Sequence, residues 1–85
     1  MGRQAIVTKY CGPTDHRGSR VKAKAYAGEV TLSWDDTLDT DANHALAAKA
    51  LAEKFGWKGR WTCGVLPDNT GNVYVCVDYD GFVVE

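Results

Sequence analysis

The chain has 85 residues, of which 45% are hydrophobic and 11% are aromatic. One small domain over residues 1–85 accounts for this length, and the apolar content excludes a chain that is disordered because of its composition. The net charge of −1 excludes a uniformly basic protein that coats nucleic acid. Since no apolar run approaches the roughly 20 residues of a spanning helix and no signal peptide precedes the first predicted strand, we expect a soluble cytoplasmic protein without a membrane partner.

Charge is distributed unevenly along the chain. Residues 1–28 carry a net charge of +5 and residues 29–47 a net charge of −5. Residues 48–64 return to +3, and residues 65–85 carry −4. The near-neutral total therefore conceals alternating basic and acidic segments, although segments of a sequence need not form separate patches on the folded surface.

Three strands are predicted before the helix. Residues 4–10 are rich in β-branched side chains and predict the first strand, and the Gly-, Pro- and Ser-containing residues 11–20 predict a loop. Residues 21–26 and 29–34 each alternate apolar and polar side chains, and Gly28 between them suits a tight hairpin turn. The alternation assigns to the buried face Val21, Ala23, Ala25, Val30, Leu32 and Trp34.

One helix is predicted over residues 42–55, where apolar residues recur at every fourth position. Asp39 or Thr40 is expected to cap its first turn, and Asp41 to complement the positive end of the helix dipole. Gly56 is a natural C-terminal stop.

A second hairpin is predicted from residues 60–66 and 73–79, joined by strong turn formers at 67–72. Residues 81–85 are expected to add a short edge segment or to fray. The resulting order β-ββ-α-ββ predicts an α+β fold, a small antiparallel sheet of about five strands with one helix packed on a face.

The expected register of this hairpin pairs Leu66 with Val73. It gives the further pairs Cys63–Cys76 and Trp61–Asp78. The expected core consists of Ile6, Val21, Val30, Leu32, Leu46, Leu51, Phe55, Trp61 and Val75.

The most unusual segment is the loop over residues 12–20, GPTDHRGSR, with two guanidinium groups, two hydroxyls and two glycines. One arginine guanidinium can bind two oxygens of a phosphate or carboxylate at once, and glycine lets backbone N–H groups approach an anion. Arg17 and Arg20 are therefore candidate binding residues. Alternatively, the loop is a structural connection braced by an ion pair from Asp15 to Arg17 or Arg20.

Lys22 and Lys24 continue the basic run on the face predicted to meet solvent, beside Tyr26. Such a strip suits contact with a nucleic-acid backbone. Trp57 follows the predicted helix stop, so it is either a core residue or an exposed rim residue of the kind enriched at binding hot spots.

The acidic connection to the helix contains Asp35, Asp36, Asp39 and Asp41. It is not a calcium-binding loop of the EF-hand type, because His44 stands where that loop requires Gly and Ala50 where it requires Glu. Two interpretations stay open. The segment is either a solvated connection with a helix cap, or an acidic patch that imitates phosphates and docks on a partner's nucleic-acid-binding groove.

No metal site or cofactor is expected. The three cysteines form no CxxC pair, the two histidines lack zinc-ligand spacing, and the chain has no phosphate-binding GxxxxGK[ST] motif. Cys63 and Cys76 are disulfide candidates across the hairpin, but an intracellular setting favours free, buried thiols.

Catalysis has little support in the sequence. Cys11, Asp15 and His16 lie together in one loop, but a nucleophile needs a base and an orienting group in reach, and one helix leaves little room for an enclosed pocket. We therefore expect no enzyme activity.

Several short motifs resemble a group of short uncharacterised proteins that recur in phages and integrated mobile elements of bacteria. These motifs are Thr8-Lys9-Tyr10, Gly12-Pro13-Thr14, Arg17-Gly18-Ser19-Arg20, Asn43-His44 and Lys54-Phe55-Gly56-Trp57. The resemblance extends from about Ala5 to about Val77, and its most specific part is the Gly-Pro-Thr…Arg-Gly-Ser-Arg loop. The group has no established activity and assigns no functional residue. It implies a context in which small polarised proteins often bind host defence machinery, as anti-CRISPR and anti-restriction proteins of similar size do, by analogy only.

Three functions follow as hypotheses. The first is a non-catalytic inhibitor of a CRISPR effector or related nuclease, in which the four acidic-connection aspartates meet a basic groove and Arg17 and Arg20 anchor at its edge. The second is a direct nucleic-acid-binding module that uses residues 17–24. The third is a small hydrolase using Cys11 and His16. A homodimer is a further prediction, because small sheets with exposed edges often pair.

Overall fold

The computed structural model describes residues 4–77 and residue 84. Its elements are β1 (Ile6–Cys11), β2 (Arg20–Ala25), β3 (Gly28–Ser33), α1 (Thr40–Lys54), β4 (Trp61–Val65) and β5 (Gly71–Cys76). The strands form one antiparallel sheet in the order β3-β2-β1-β5-β4, and α1 packs on β1, β2 and β3. The predicted α+β class and the order β-ββ-α-ββ are confirmed. The predicted segment over residues 81–85 lies outside the described residues, except for Val84.

Alternation along β2 and β3 gives the sheet two different faces. Val21 and Ala23 are fully buried on the face that contacts α1, and they pair with the half-buried Leu32 and Val30 of β3. The opposite face, called the open face below, carries the polar residues of the same strands. The predicted assignment of side chains to the two faces is confirmed for both strands.

Helix α1 begins two residues earlier than predicted and ends at Lys54. Asp39 is the N-cap, because its Oδ1 accepts a hydrogen bond of 2.7 Å from the Ala42 N–H. Gly56 has a φ of +68°, a left-handed conformation that favours glycine at a helix end. Within the described residues, no helix is long and apolar enough to cross a membrane.

The core lies between α1 and the sheet. Ile6, Val21 and Leu51 are buried as predicted, while the other predicted residues that pack against them are half-buried, namely Val30, Leu32, Phe55 and Trp61. Two core predictions are wrong, because Leu46 is 46% exposed and Val75 is 43% exposed. Leu46 lies beside the buried stripe of α1, which consists of Asn43, His44, Ala47, Ala48, Leu51 and Ala52.

The inward position on β5 belongs to Tyr74 and not to Val75. Tyr74 is buried and pairs with Ile6 of β1, so the next residue along the strand points to the open face. The burial of β5 is therefore fixed by its pairing with β1, the central strand.

The predicted register of the second hairpin is wrong by two residues. Cys63 pairs with Tyr74, and Trp61 pairs with Cys76, whereas Asp78 lies outside the described residues. The loop is shorter than predicted because the Leu66 N–H donates to the Gly71 carbonyl at 2.9 Å, closing a four-residue turn.

The side chain of Asp68 stabilises this turn. Its carboxylate accepts hydrogen bonds from the Thr70 N–H at 3.1 Å and hydroxyl at 2.6 Å, and Asn69 has a φ of 59°. The register also separates Cys63 from Cys76, and none of the cysteines in the described part of the chain forms a disulfide bond. Cys63 is exposed, which corrects the expectation of a buried thiol.

Candidate nucleic-acid interface

The open face carries a row of basic side chains. Alternation along β2 places Arg20, Lys22 and Lys24 on this face, two residues apart. Lys9 of β1 is the direct cross-strand partner of Lys22. Four cations therefore lie on two adjacent strands, whose backbones are about 4.8 Å apart.

Nearby carboxylates neutralise this row only in part. The Lys22 Nζ lies 3.5 Å from the Glu29 Oε1, and both side chains are more than 40% exposed, so the ion pair contributes little. Hydrogen bonds from Thr70 hold the pKa of Asp68 below its ordinary value, and the charge of Lys9 adds a smaller effect in the same direction. Lys9 and Lys22 are direct cross-strand partners, and like charges in this arrangement repel each other, an effect that Glu29 and Asp68 offset only in part.

The loop of residues 12–19 holds Arg17 beside the basic row. The Thr14 N–H donates to the Arg17 carbonyl at 2.7 Å, and the Thr14 hydroxyl accepts from the Arg17 N–H at 3.1 Å. In the described chain, Asp15 forms no ion pair with Arg17 or Arg20, so backbone bonds to Thr14 brace the loop instead. Both guanidinium groups are thereby left available for a ligand.

The far end of this loop is fixed by aromatic and hydroxyl side chains. The Trp34 N–H donates to the Ser19 carbonyl at 3.0 Å, and the Ser19 hydroxyl is 2.9 Å from the Tyr10 hydroxyl. The Trp34 ring lies edge-to-face against Tyr10 at 5.0 Å and against His44 at 6.0 Å between ring centroids. Trp34 is thus held in place from two sides.

A cavity of about 600 Å³ opens between this loop and the end of β3. Its lining consists of Arg17, Gly18, Ser19, Arg20, Thr31, Leu32, Ser33, Trp34 and Asp36. The cavity combines two guanidinium groups, several hydroxyls, one indole and one carboxylate. Binding cavities for small ligands have volumes of about 300 to 1,000 Å³, so the size suits a ligand or one unit of a polymer.

The four aspartates of the acidic connection have different environments. Asp35 accepts from the Thr37 N–H at 2.9 Å and hydroxyl at 2.6 Å, which lowers the pKa of its carboxyl group, and Asp39 caps α1. Asp36 and Asp41 are exposed, and their carboxylates form no hydrogen bond or ion pair with other described residues. Only these two carboxylates are fully available to a partner.

Asn43 is a structural residue of this connection that the sequence reasoning missed. It is 2% exposed, its Oδ1 accepts from the Asp35 N–H at 2.8 Å, and its Nδ2 donates to the Asp35 and Asp39 carbonyls at 3.0 Å each. The only signal in the sequence is a polar residue on the helix stripe that faces the sheet. Asn43 fixes the connection, and therefore the position of Asp36 at the cavity.

A second buried polar contact joins α1 to β1. The Thr8 hydroxyl lies 2.7 Å from the His44 Nδ1, and both side chains are buried. Burial lowers the pKa of His44, and the charge of Asp41 opposes this shift in part. The pair holds the helix on the sheet behind Trp34.

Two predicted aromatic residues lie in different places. Tyr26 is 98% exposed in the turn that follows Lys24, at the opposite end of β2 from the cavity. Trp57 stacks with Phe55 at 5.2 Å and with Trp61 at 6.3 Å between ring centroids, on the helix side of the sheet. The fold therefore brings Tyr26 to the basic row, but it does not bring Trp57 there.

Comparisons with known proteins identify no relative. No protein-family model, no curated protein and no solved structure matches the chain. Among the residues that the structure describes, no group of three or more His, Cys, Asp or Glu side chains is arranged to hold a metal ion.

Proposed function

We propose that the protein is a binding module that contacts single-stranded nucleic acid through the open face and the adjoining loop of residues 12–19. The observation that carries this proposal is the row formed by Lys9, Arg20, Lys22 and Lys24, of which only Lys22 has an ion-pair partner in residues 4–77. A stripe of basic side chains clustered on one face is the electrostatic pattern of surfaces that bind phosphates.

The shape of this surface favours a single strand over a duplex. The face of this five-stranded sheet is broader than the two-stranded ribbon that the DNA major groove admits, whereas exposed sheet faces commonly support single-stranded RNA. Helix α1 is not suited to groove binding, because its first turn carries Asp41 and its buried stripe packs on the sheet. Tyr26, in the turn after β2, provides an exposed aromatic ring on which a base can stack, and the half-buried Trp34 lines the cavity at the other end of the strand.

Fluorescence anisotropy with labelled oligouridylate tests the proposal. Five phosphate contacts to Arg17 and the basic row give a slope of about −3.5 for log affinity against log salt, so affinity should fall about 130-fold between about 50 and 200 mM salt. Lys24→Ala should weaken binding several-fold and make the slope less steep by about 0.7.

Lys49→Ala is the matched control, because Lys49 is also an exposed lysine but lies on α1. It should leave the slope unchanged. Equal losses in the two variants would mean that binding depends on total charge and not on the open face. Absence of binding at low salt would reject the proposal, and tighter binding to duplex than to a single strand would contradict the choice of ligand.

The acidic connection supports a second candidate function, the inhibition of a CRISPR effector or related host-defence nuclease by binding to its surface. Its support is the pair of unengaged carboxylates, Asp36 and Asp41, together with the resemblance to mobile-element proteins. Carboxylates placed on a basic groove can replace phosphate charge and exclude the nucleic acid.

A pull-down from bacterial lysate separates the two candidates. If the protein is an inhibitor, it should recover a host nuclease as a partner, and this recovery should persist after added nuclease has digested the nucleic acid in the lysate. The double variant Asp36→Lys with Asp41→Lys should no longer recover that partner. Loss of all partners on nuclease treatment is expected for direct binding of nucleic acid. Charge reversal that leaves partner recovery unchanged would contradict the inhibitor.

A further inference from the structure

The cavity between the loop and β3 has a lining that matches a whole nucleotide rather than a phosphate alone. Arg17 and Arg20 supply guanidinium groups for a phosphate, while Trp34 supplies an aromatic surface for a base. Asp36 supplies a carboxylate that forms no ion pair with either arginine among the described residues. A site for phosphate alone would gain nothing from a carboxylate, because two anions repel each other.

The carboxylate determines which base fits this lining. An ionised carboxylate only accepts hydrogen bonds, so it selects a base edge that carries donors. The Watson–Crick edge of guanine presents two adjacent donors, N1–H and N2–H, which a carboxylate accepts together. Adenine and cytosine each place a single amino group beside an acceptor nitrogen, and uracil places its N–H between two carbonyl oxygens.

The backbone that carries Asp36 to the cavity is held by a buried side chain of α1. Asn43 accepts from the N–H of Asp35 and donates to its carbonyl, so the backbone immediately before Asp36 is held. Elsewhere in the lining, Arg20 is the cross-strand partner of Ser33, and the Trp34 N–H is bonded to the Ser19 carbonyl. The lining therefore combines the paired ends of β2 and β3 with a connection whose backbone is bonded to α1.

We infer that this cavity is a guanine-nucleotide subsite, in which Asp36 accepts from the base edge, Trp34 stacks on the base and Arg17 and Arg20 bind the phosphate. The inference rests on the proposed binding of single-stranded nucleic acid and adds a base preference to it. The basic row then holds the neighbouring phosphates without reading their bases.

Short oligouridylates that contain one central guanosine, adenosine, cytidine or uridine test this inference at one salt concentration. The guanosine oligonucleotide should bind about ten-fold more tightly than the others. Asp36→Asn should abolish this preference while leaving the affinity for plain oligouridylate equal or higher, because it removes a negative charge. Asp41→Asn is the matched control, since it makes the same charge change on an exposed aspartate that lies outside both the cavity lining and the loop of residues 12–19, and it should preserve the preference.

The outcomes separate this inference from the proposed function. Equal affinity for all four oligonucleotides, or a guanine preference that survives Asp36→Asn, would overturn the guanine subsite and leave the open face as a nonspecific binding surface. Failure of every oligonucleotide to bind would instead reject the proposed function. Competition by free guanosine monophosphate would support the subsite and show that it also takes a free nucleotide.

Discussion

Replacing Asn43 tests whether one buried amide holds the acidic connection in place. Its side chain makes three hydrogen bonds of 3.0 Å or shorter to backbone groups of Asp35 and Asp39. Each such bond contributes about 1 kcal/mol net, so Asn43→Ala should lower the free energy of unfolding by about 3 kcal/mol. For a domain of this size that loss corresponds to a fall in Tm of roughly 12 to 24 °C.

Circular dichroism melts and urea titrations measure this loss directly. Asn43→Asp provides a sharper test, because it preserves the shape and the acceptor for the Asp35 N–H but replaces the donor with an oxygen. That oxygen would face the carbonyls of Asp35 and Asp39, and the charge would be buried beside other aspartates. We therefore expect Asn43→Asp to be less stable than Asn43→Ala at neutral pH.

Lowering the pH should narrow the difference in stability between Asn43→Asp and Asn43→Ala. Burial raises the pKa of the introduced carboxyl group, and its protonation restores a hydrogen-bond donor. Lys49→Ala, on the exposed side of the same helix, should change Tm by only a few degrees. A Tm within about 3 °C of the wild type for Asn43→Ala, or an Asp variant as stable as the wild type, would refute the reasoning.

Two further predictions concern the core. Burial lowers the pKa of His44 below its ordinary value of 6.5. The contribution of neutral His44 to the free energy of unfolding is therefore fully present above about pH 6.5 and declines as pH falls below that value. Thermal melts between about pH 7.5 and 5 should show this decline, which His44→Gln should reduce and His16→Ala should preserve; a wild-type Tm that does not fall would contradict it. Gly71→Ala should cost about 3 kcal/mol or more, because its Cβ would collide with the Thr8 carbonyl oxygen. The matched Gly64→Ala has Val73 Cγ1 at an ordinary 3.8 Å, and equal stability of the two variants in urea would contradict the collision.

Patterns of neighbouring residues in the sequence are sufficient to predict the strands, the helix and the basic side chains of the open face. The alternation along β2 is sufficient to place Lys22 and Lys24 on the solvent side, and the acidic N-cap with an apolar period of about four residues is sufficient to place α1. Both signals arise from neighbours in the chain. The register of the β4–β5 hairpin does not follow from such local patterns, because it depends on the turn at Asp68 and on the pairing of β5 with β1.

The rest of the candidate site depends on contacts between residues far apart in the chain. Lys9 joins the basic row only because β1 lies between β2 and β5, and Asp36 reaches the cavity because Asn43 folds the connection back. Asn43 and His44 are polar residues at buried positions of a helix, where hydrophobic periodicity treats them as exposed. Their role is visible only once their hydrogen-bond partners are known.

The distance between the two charged regions explains how a chain with a net charge of −1 can present a phosphate-binding surface. Strand β2 has six residues and extends about 20 Å, with Lys24 near one end and the cavity at the other. The Debye length at physiological salt is about 8 Å, so the carboxylate of Asp36 is largely screened at Lys24. A phosphate near Lys24 therefore experiences the local basic row, while a base in the cavity meets Asp36 directly. Lower salt extends the reach of Asp36 along the strand, so its repulsion of phosphates should be strongest at low salt, and Asp36→Asn should raise the affinity for oligouridylate most under that condition.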